Sequence, residues 1–207
     1  MSFPQPELQS LQNLWLPIVL YAFVTSASPG PVNIVAVSSG ISFGVRRTLP
    51  QVAGATLGFS LLLFAIGMGL GELLRAMPWL LALLKIAGSM FLCYLAFKLF
   101  RAGGVTADVN LGKPPSFWDG LLAQWFNPKA WIVAVAGIST YTMPGAAYQS
   151  SVIAMTLLFL LICFPSIAAW AALGATARAL LKRPQLVQGF NMLMALLLLL
   201  SVLGILL

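Results

Sequence analysis

Long apolar stretches separated by short polar breaks run through most of the sequence. A helix that crosses a bilayer needs about 20 mostly apolar residues. Six stretches reach or approach that length, at about 14–41, 49–71, 77–100, 117–142, 149–174 and 186–207. The pattern therefore predicts an all-α membrane protein with six transmembrane helices.

The polar segment 101–116 is the only break long enough to be a linker. It separates two parts of nearly equal length, 1–103 and 116–207, each with three predicted spans. Three crossings reverse the direction of a chain, so a duplicated second part would enter the membrane from the opposite face. We therefore predict one transmembrane transporter domain over residues 1–207, built as a 3+3 inverted repeat.

Two predicted spans, the first and the fourth, are interrupted near the middle. Proline removes a backbone donor, clashes with the preceding turn and costs about 3 kcal/mol in a helix interior. Backbone groups freed in this way cannot face lipid and are tolerated where they line a cavity or lie inside protein. The first break offers Ser28, Pro29, Gly30, Pro31 and Asn33, and the second offers Asn127, Pro128 and Lys129.

The two breaks lie at corresponding places in the two parts. Pro29 and Pro128 are 99 residues apart, and each lies in the first span of its part. Paired interrupted helices at matching positions are the best sequence indication of a transporter's binding site. We therefore predict that the residues of both breaks bind substrate or line its path, although a simple structural kink is the alternative.

Composition and charge support the membrane assignment. Only 7% of the residues are charged and 60% are hydrophobic, whereas soluble domains carry about 25% charged residues. The net charge of +7 is spread between apolar runs without a basic stripe, so we expect no nucleic-acid partner. Eight basic residues follow the first, third and fifth spans, against Arg75 on the other side. This bias predicts cytoplasmic loops there and both termini outside.

Lys129 and further polar residues are candidates for the substrate path or for proton coupling. Lys129 either holds an anionic group or sits in a short loop near the interface, and both readings stay open at this stage. Lys85 either snorkels to the outer face or reaches the substrate. Gln51 and Gln124 either line a polar cavity or bond across helices. Asp119 is the only acid near a break, which makes it the candidate for proton coupling.

Small residues and cysteines complete the candidates. Gly54 begins a G-x-x-x-G pattern that lets helices approach closely, most simply within one chain and alternatively in a homodimer. The chain has no His, and Cys93 and Cys163 lie in separate apolar runs without a C-x-x-C. We therefore expect neither a metal nor another cofactor. Because the first thirteen residues contain no Lys or Arg, the first apolar run is expected to be a retained span.

At these motifs the chain resembles the lysine exporter (LysE/RhtB) family of bacterial amino-acid exporters. The resemblance is carried by Ser28-Pro29-Gly30-Pro31-Val32-Asn33, Gly40, Gly44, Gly54, Gly58, Leu84-Lys85-Ile86-Ala87-Gly88, Tyr94-Leu95, Lys98 and Phe126-Asn127-Pro128-Lys129-Ala130. It implies a multi-pass carrier of the bacterial plasma (inner) membrane that moves amino acids or related zwitterions outward, driven by the proton gradient or membrane potential. The scarcity of acids near the breaks favours a neutral or acidic substrate over a dibasic one.

Two other classes of protein fit less well. A membrane thiol–disulfide electron carrier of related fold would place a cysteine beside the proline of each broken helix, and neither break has one. A membrane-embedded enzyme would need His or carboxylate clusters for a metal, or a base to activate a serine. Only Lys85 or Lys129 could serve as that base. We therefore expect a transporter and not an enzyme.

Overall fold

A computed structural model of the chain describes residues 5–101, 113–180 and 184–206, and every regular element in these parts is helical. The long helices are α1 (Gln5–Ala27), α2 (Pro31–Phe43), α3 (Val45–Ala65), α5 (Pro78–Arg101), α7 (Pro128–Tyr141), α8 (Tyr148–Leu180) and α9 (Pro184–Leu206). The shorter ones are α4 (Gly71–Ala76) and α6 (Phe117–Trp125), with a π-helical turn at Ile66–Leu70 and a 3-10 turn at Gly145–Ala147.

Prolines set the starts of the two helices that follow the sequence breaks. Pro31 is the first residue of α2, and Pro128 is the first residue of α7. The first N–H of a helix has no intrahelical partner, so proline loses nothing there and its fixed φ suits the helix. The axes of α1 and α2 differ by 56° across the intervening Ser28–Gly30 segment. The interruptions predicted near Pro29 and Pro128 therefore coincide with departures from helical geometry.

Two helical runs are long and apolar enough to cross a membrane by themselves within the described residues, Val45–Leu73 and Gly145–Ala177. The bent pair Trp15–Ala27 and Pro31–Phe43 makes a third if it counts as one span. The second predicted span does not continue straight to residue 71, because Gly69 has a φ of +109° and bends the chain there. Most of the predicted linker at 101–116 lies outside the described residues.

Close glycine contacts join the helices in two pairs. A β-carbon on Gly54 of α3 would overlap the carbonyl of Phe117, and one on Gly120 of α6 would overlap the carbonyl of Gln51. In the same way Gly40 of α2 leaves room for the α8 backbone. Small residues at such positions let two backbones touch. The G-x-x-x-G pattern of α3 therefore packs against α6 of the same chain.

Apolar side chains fill the interior and also cover the outside. α3 packs against both α6 and α8, α2 packs against α8, and α5 packs against α9. Buried Leu62, Leu92, Phe159 and Leu198 are among the largest side chains of the core. Many large apolar side chains of α1, α5, α8 and α9 remain exposed, and an exposed apolar surface of this kind matches lipid.

Candidate functional site

The end of α1 leaves backbone carbonyls without helical partners, and side chains of α2 and α8 donate hydrogen bonds to them. The side-chain amide nitrogen of Asn33 donates to the backbone carbonyls of Ser26 (2.9 Å) and Ser28 (2.8 Å). The indole of Trp170 on α8 donates to the carbonyl of Ala27 at 3.0 Å. An unsatisfied buried carbonyl would cost about 1–3 kcal/mol. These bonds explain how the first break is accommodated inside the protein.

Lys129 of α7 reaches across to the same break. Its ammonium donates to the Ser28 carbonyl at 2.8 Å, to the Ser28 hydroxyl at 2.7 Å and to the Pro29 carbonyl at 3.4 Å. An ammonium has three hydrogens, and these three acceptors use them. A cation is also favourable at a helix C-terminus, which carries partial negative charge. The two breaks, separated by a hundred residues of sequence, are therefore bonded directly to each other.

The second break is closed by its own side chains. Asn127 caps α7, because its side-chain oxygen accepts from the backbone N–H of Lys129 at 3.1 Å. The side-chain amide nitrogen of Asn127 donates to the side-chain oxygen of Gln124 on α6 at 3.4 Å. Asn127 and Gln124 are both buried. Asn at this position is a strong helix cap, and here it also links the end of α6 to the start of α7.

A cleft of about 380 Å³, counting the open space at its mouth, lies between the two breaks. Five of the residues predicted from the sequence line it, namely Gly30, Asn33, Gln124, Asn127 and Lys129. Its other polar lining residues are Thr25 and Ser26 of α1. The cleft therefore combines an ammonium, neutral amides and hydroxyls, which can bind both a carboxylate and an amine by hydrogen bonds.

The remaining predicted residues of the breaks support the cleft without lining it. Ser28 and Pro29 present the carbonyls that Lys129 contacts. Pro31 and Pro128 begin α2 and α7.

The predicted residues away from the breaks lie elsewhere in the fold. Gly54 contacts α6. Gln51 is fully buried, and its side-chain amide has no hydrogen-bond partner among the described residues. Lys85 lies on α5, and its side chain falls outside the described residues.

Asp119 lies at the start of α6, whereas Gln124, the α6 residue that lines the cleft, lies near the end of that helix. Its carboxylate accepts from the backbone N–H of Ser116 at 2.7 Å, while its own N–H donates to the Ser116 hydroxyl at 3.2 Å. The same carboxylate pairs with Lys98 of α5 at 3.1 Å. This is a reciprocal capping box reinforced by an ion pair between α5 and α6.

Sequence reasoning missed the apolar wall of the cleft. Phe159, Cys163 and Ile167 of α8 line one side, and Phe59 of α3 and Val133 of α7 add to it. The three α8 residues are spaced by four and share one helix face. That spacing was visible in the sequence, but no polar residue in the run drew attention to it. Cys93, by contrast, is exposed on α5.

Metal chemistry has no support in the described residues, because they contain no group of three or more His, Cys, Asp or Glu side chains that could hold an ion. The chemistry that the cleft offers is reversible hydrogen bonding and charge pairing with a small solute.

Comparison with known proteins gives a consistent result. The family described as "LysE type translocator" matches residues 23–207. The chain is similar to the cysteine/O-acetylserine efflux protein of Escherichia coli strain K12, at 32% identity over 86% of this chain and 90% of the relative. It is also similar to the protein of that name from Shigella flexneri serotype 5b strain 8401, at 33% identity over 88% of this chain and 94% of the relative. No solved structure matches the chain.

Proposed function

The chain belongs to the LysE-type translocator family, and on that basis we propose that it exports a small amino acid or a related metabolite across the bacterial plasma membrane. The family resemblance inferred from the motifs is confirmed. Since the family consists of translocators and its curated relatives are efflux proteins, the chain is a membrane transporter and not an enzyme.

The observation that carries the proposal is the cleft shared by the two breaks. A zwitterion has a carboxylate and an ammonium, and it needs one cationic partner and several acceptors. Lys129 supplies the cation, and the carbonyls of Ser28 and Pro29 beside it supply acceptors. In the state described here these groups bond each other, so a substrate would replace the Lys129 contacts with its own. The exchange keeps each buried group paired, which limits its cost.

The walls of the cleft favour a small substrate with an uncharged side chain. Phe59, Val133 and Phe159 form the apolar side, and no carboxylate is among the lining residues. A dibasic amino acid would bury a second ammonium without a carboxylate partner, which is costly. The relatives are named for cysteine and O-acetylserine, which both have short neutral side chains. We therefore propose a substrate of that class.

We also propose that the domain spans the membrane six times as a 3+3 inverted repeat, with spans one and four broken. In such a repeat, corresponding spans of the two parts meet at a pseudo-two-fold axis. The packing supports this arrangement at all three positions. The breaks of the first spans are bonded through Lys129, the second spans α3 and α8 are in contact, and so are the third spans α5 and α9.

Export against a gradient requires an energy source, and we propose the proton gradient or the membrane potential. Asp119 remains the candidate for proton coupling. Protonation would weaken its ion pair with Lys98 and its cap on α6, so it would loosen α5 from α6.

The binding partners that we propose are the solute and membrane lipid, and we propose no nucleic-acid partner. A homodimer would have to use a face other than the α3 glycines, which α6 covers.

An efflux assay tests the proposed function. Cells that overexpress the protein are fed dipeptides, and the amino acids released to the medium are measured, together with O-acetylserine. We expect faster release of short neutral amino acids than from cells carrying an empty vector. The Asn127→Ala variant should insert normally and lose this release, because it removes the cap that closes the second break. Flat release across neutral, acidic and basic amino acids would refute the exporter proposal.

A further inference from the structure

A second cleft of about 360 Å³, again counting the open space at its mouth, lies beyond the first along α1, α7 and α8. Trp15 and Ile18 of α1, Tyr141 and Met143 at the end of α7, and Met155 of α8 line it. These residues lie at the middle of α1 and near the α7–α8 connection. The basic pair that follows α2, Arg46 and Arg47, lies at the opposite end of the α1–α2 pair. In the six-span arrangement proposed above, the α1–α2 pair crosses the membrane once, and the positive-inside rule then places the second cleft on the external side.

A row of aromatic rings separates the two clefts. The ring of Phe159, which is fully buried, lies 5.0 Å from the ring of Phe59 and 6.1 Å from that of Tyr21. The ring of Tyr21 then lies 5.2 Å from that of Tyr141. Phe59 and Phe159 line the first cleft, and Tyr141 lines the second. The row therefore runs from the wall of one cleft to the wall of the other.

A hydrogen bond holds the ring of Tyr21, one of the two inner rings of this row. The Tyr21 hydroxyl donates to the carbonyl of Val133 on α7 at 2.7 Å, and Val133 lines the first cleft. The edge of the Tyr21 ring also packs closely over Gly137 of α7, where a β-carbon would lie 3.0 Å away. Tyr21 is thus held against α7 by a polar and an apolar contact. Aromatic pairs at these separations contribute beyond their buried area.

We propose that Tyr21, Tyr141 and Phe159 form the external gate of the transport route, closed in this structure, and that the second cleft is the vestibule through which the substrate leaves. The inference rests on the proposed export function, since it assigns the exit from the same substrate cleft. Opening requires the Tyr21 hydroxyl to leave Val133 and the Phe159 ring to turn away from Tyr21. Both changes are local to α1 and α8.

The chain contains its own reporter for this gate. Cys163 lies one helical turn after Phe159, lines the substrate cleft and is only 3% exposed. A charged, membrane-impermeant methanethiosulfonate added outside right-side-out vesicles can reach this thiol only through the gate. Cys93 is exposed on α5 and would react as well, so the assay uses a Cys93→Ser background. The unreacted thiol is then counted by a mass-tagged maleimide after denaturation.

We expect Cys163 to react slowly from outside in the Cys93→Ser protein. Phe159→Ala should speed the reaction at least about tenfold, the change that accompanies a shift of about 1.4 kcal/mol between closed and open forms. Phe164→Ala is the matched control, because Phe164 is on the same helix and 38% exposed, and it should not change the rate. Tyr21→Phe keeps the ring and removes only the bond to Val133, so it should give a smaller acceleration.

Three results would overturn the gate. The first is rapid labelling of Cys163 in the Cys93→Ser protein, and the second is an equal labelling rate in the Phe159→Ala and Phe164→Ala variants. The third applies if the Phe159→Ala variant fails to insert, and it is a labelling rate in the Tyr21→Phe variant that is no faster than in the Cys93→Ser protein. Labelling does not depend on which solute is carried. Faster labelling in a protein with flat efflux would therefore support the gate and refute the exporter proposal, which keeps the two failures distinct.

Discussion

Replacing Asn33 with leucine removes the donor that serves two carbonyls of the first break and keeps the side chain close to its original size. Asn33 is buried and Ser26 is half-buried, so water can replace the lost donor only in part. The carbonyl of Ser28 would retain Lys129 as a partner. The carbonyl of Ser26 would lose the side-chain donor that the structure gives it. The substitution therefore tests whether these bonds hold the break in place.

The expected cost follows from this difference between the two carbonyls. One lost neutral hydrogen bond costs about 0.5–1.5 kcal/mol, and one buried acceptor left without a partner costs about 1–3 kcal/mol. Together they predict a destabilisation of about 1.5–4.5 kcal/mol. In a chain of this size each kcal/mol lowers the melting temperature by about 2–4 °C, so the midpoint should fall by about 3–18 °C.

Thermal unfolding of the purified protein in detergent measures this change, with efflux from cells as a second readout. Ser38→Ala is the matched control, because Ser38 lies on the same helix, is equally buried, and its hydroxyl has no partner among the described residues. That control should leave the midpoint unchanged or slightly raised. If the Asn33→Leu protein has the same melting temperature as the Ser38→Ala protein, the two Asn33 hydrogen bonds do not stabilise the break.

Three further predictions concern neighbouring contacts. Lys129→Met should lower the initial efflux rate at least about tenfold, since it removes the only cation among the described residues that line the cleft. Lys113→Met is the control, because it removes an exposed cation that does not line the cleft, and it should keep most efflux. Equal losses in the two variants would refute this role. Gly40→Ala should destabilise the protein by about 1–3 kcal/mol through overlap with the α8 backbone, while Gly189→Ala, which meets open space, should be neutral or stabilising in thermal melts. Trp170→Phe should lower the free energy of unfolding by about 1 kcal/mol, because it leaves the last carbonyl of α1 without its indole donor. Chemical unfolding measures this change, and a midpoint equal to that of the wild-type protein would contradict the prediction.

The positions of the breaks could be predicted from the sequence because their causes are local. Two prolines flank Gly30, and Pro128 follows an asparagine, and the structure starts a helix at Pro31 and at Pro128. Isolated prolines do not have this effect here, because Pro17, Pro50 and Pro165 lie inside helices. The capping role of Asn127 follows from its own side chain and the two residues after it. Each of these predictions needs only a few consecutive residues.

The partners across the cleft could not be predicted in this way, because they depend on how distant helices pack. Two readings of Lys129 were open from sequence, and the contact with Ser28, a hundred residues earlier, became visible only in the fold. Phe159 and Cys163 looked like ordinary core residues of an apolar run, yet they form a wall of the cleft. The scarcity of charge made Asp119 conspicuous, although its contacts are those of a helix cap.

The glycine contacts described for the fold have a mechanical consequence. Because the backbones of α2 and α8 touch, and those of α3 and α6 touch, neither pair can slide or separate without losing its contacts. We therefore expect each pair to move as one unit. The chain connects the two pairs at Gly44, which has a φ of +80° and no atom near the place of a β-carbon, and α3 of one pair also packs against α8 of the other. We predict that alternating exposure of the cleft involves a rotation about Gly44 that shifts the contact between α3 and α8. A cross-link between α2 and α3 near Gly44 would then stop the transport cycle while leaving binding intact.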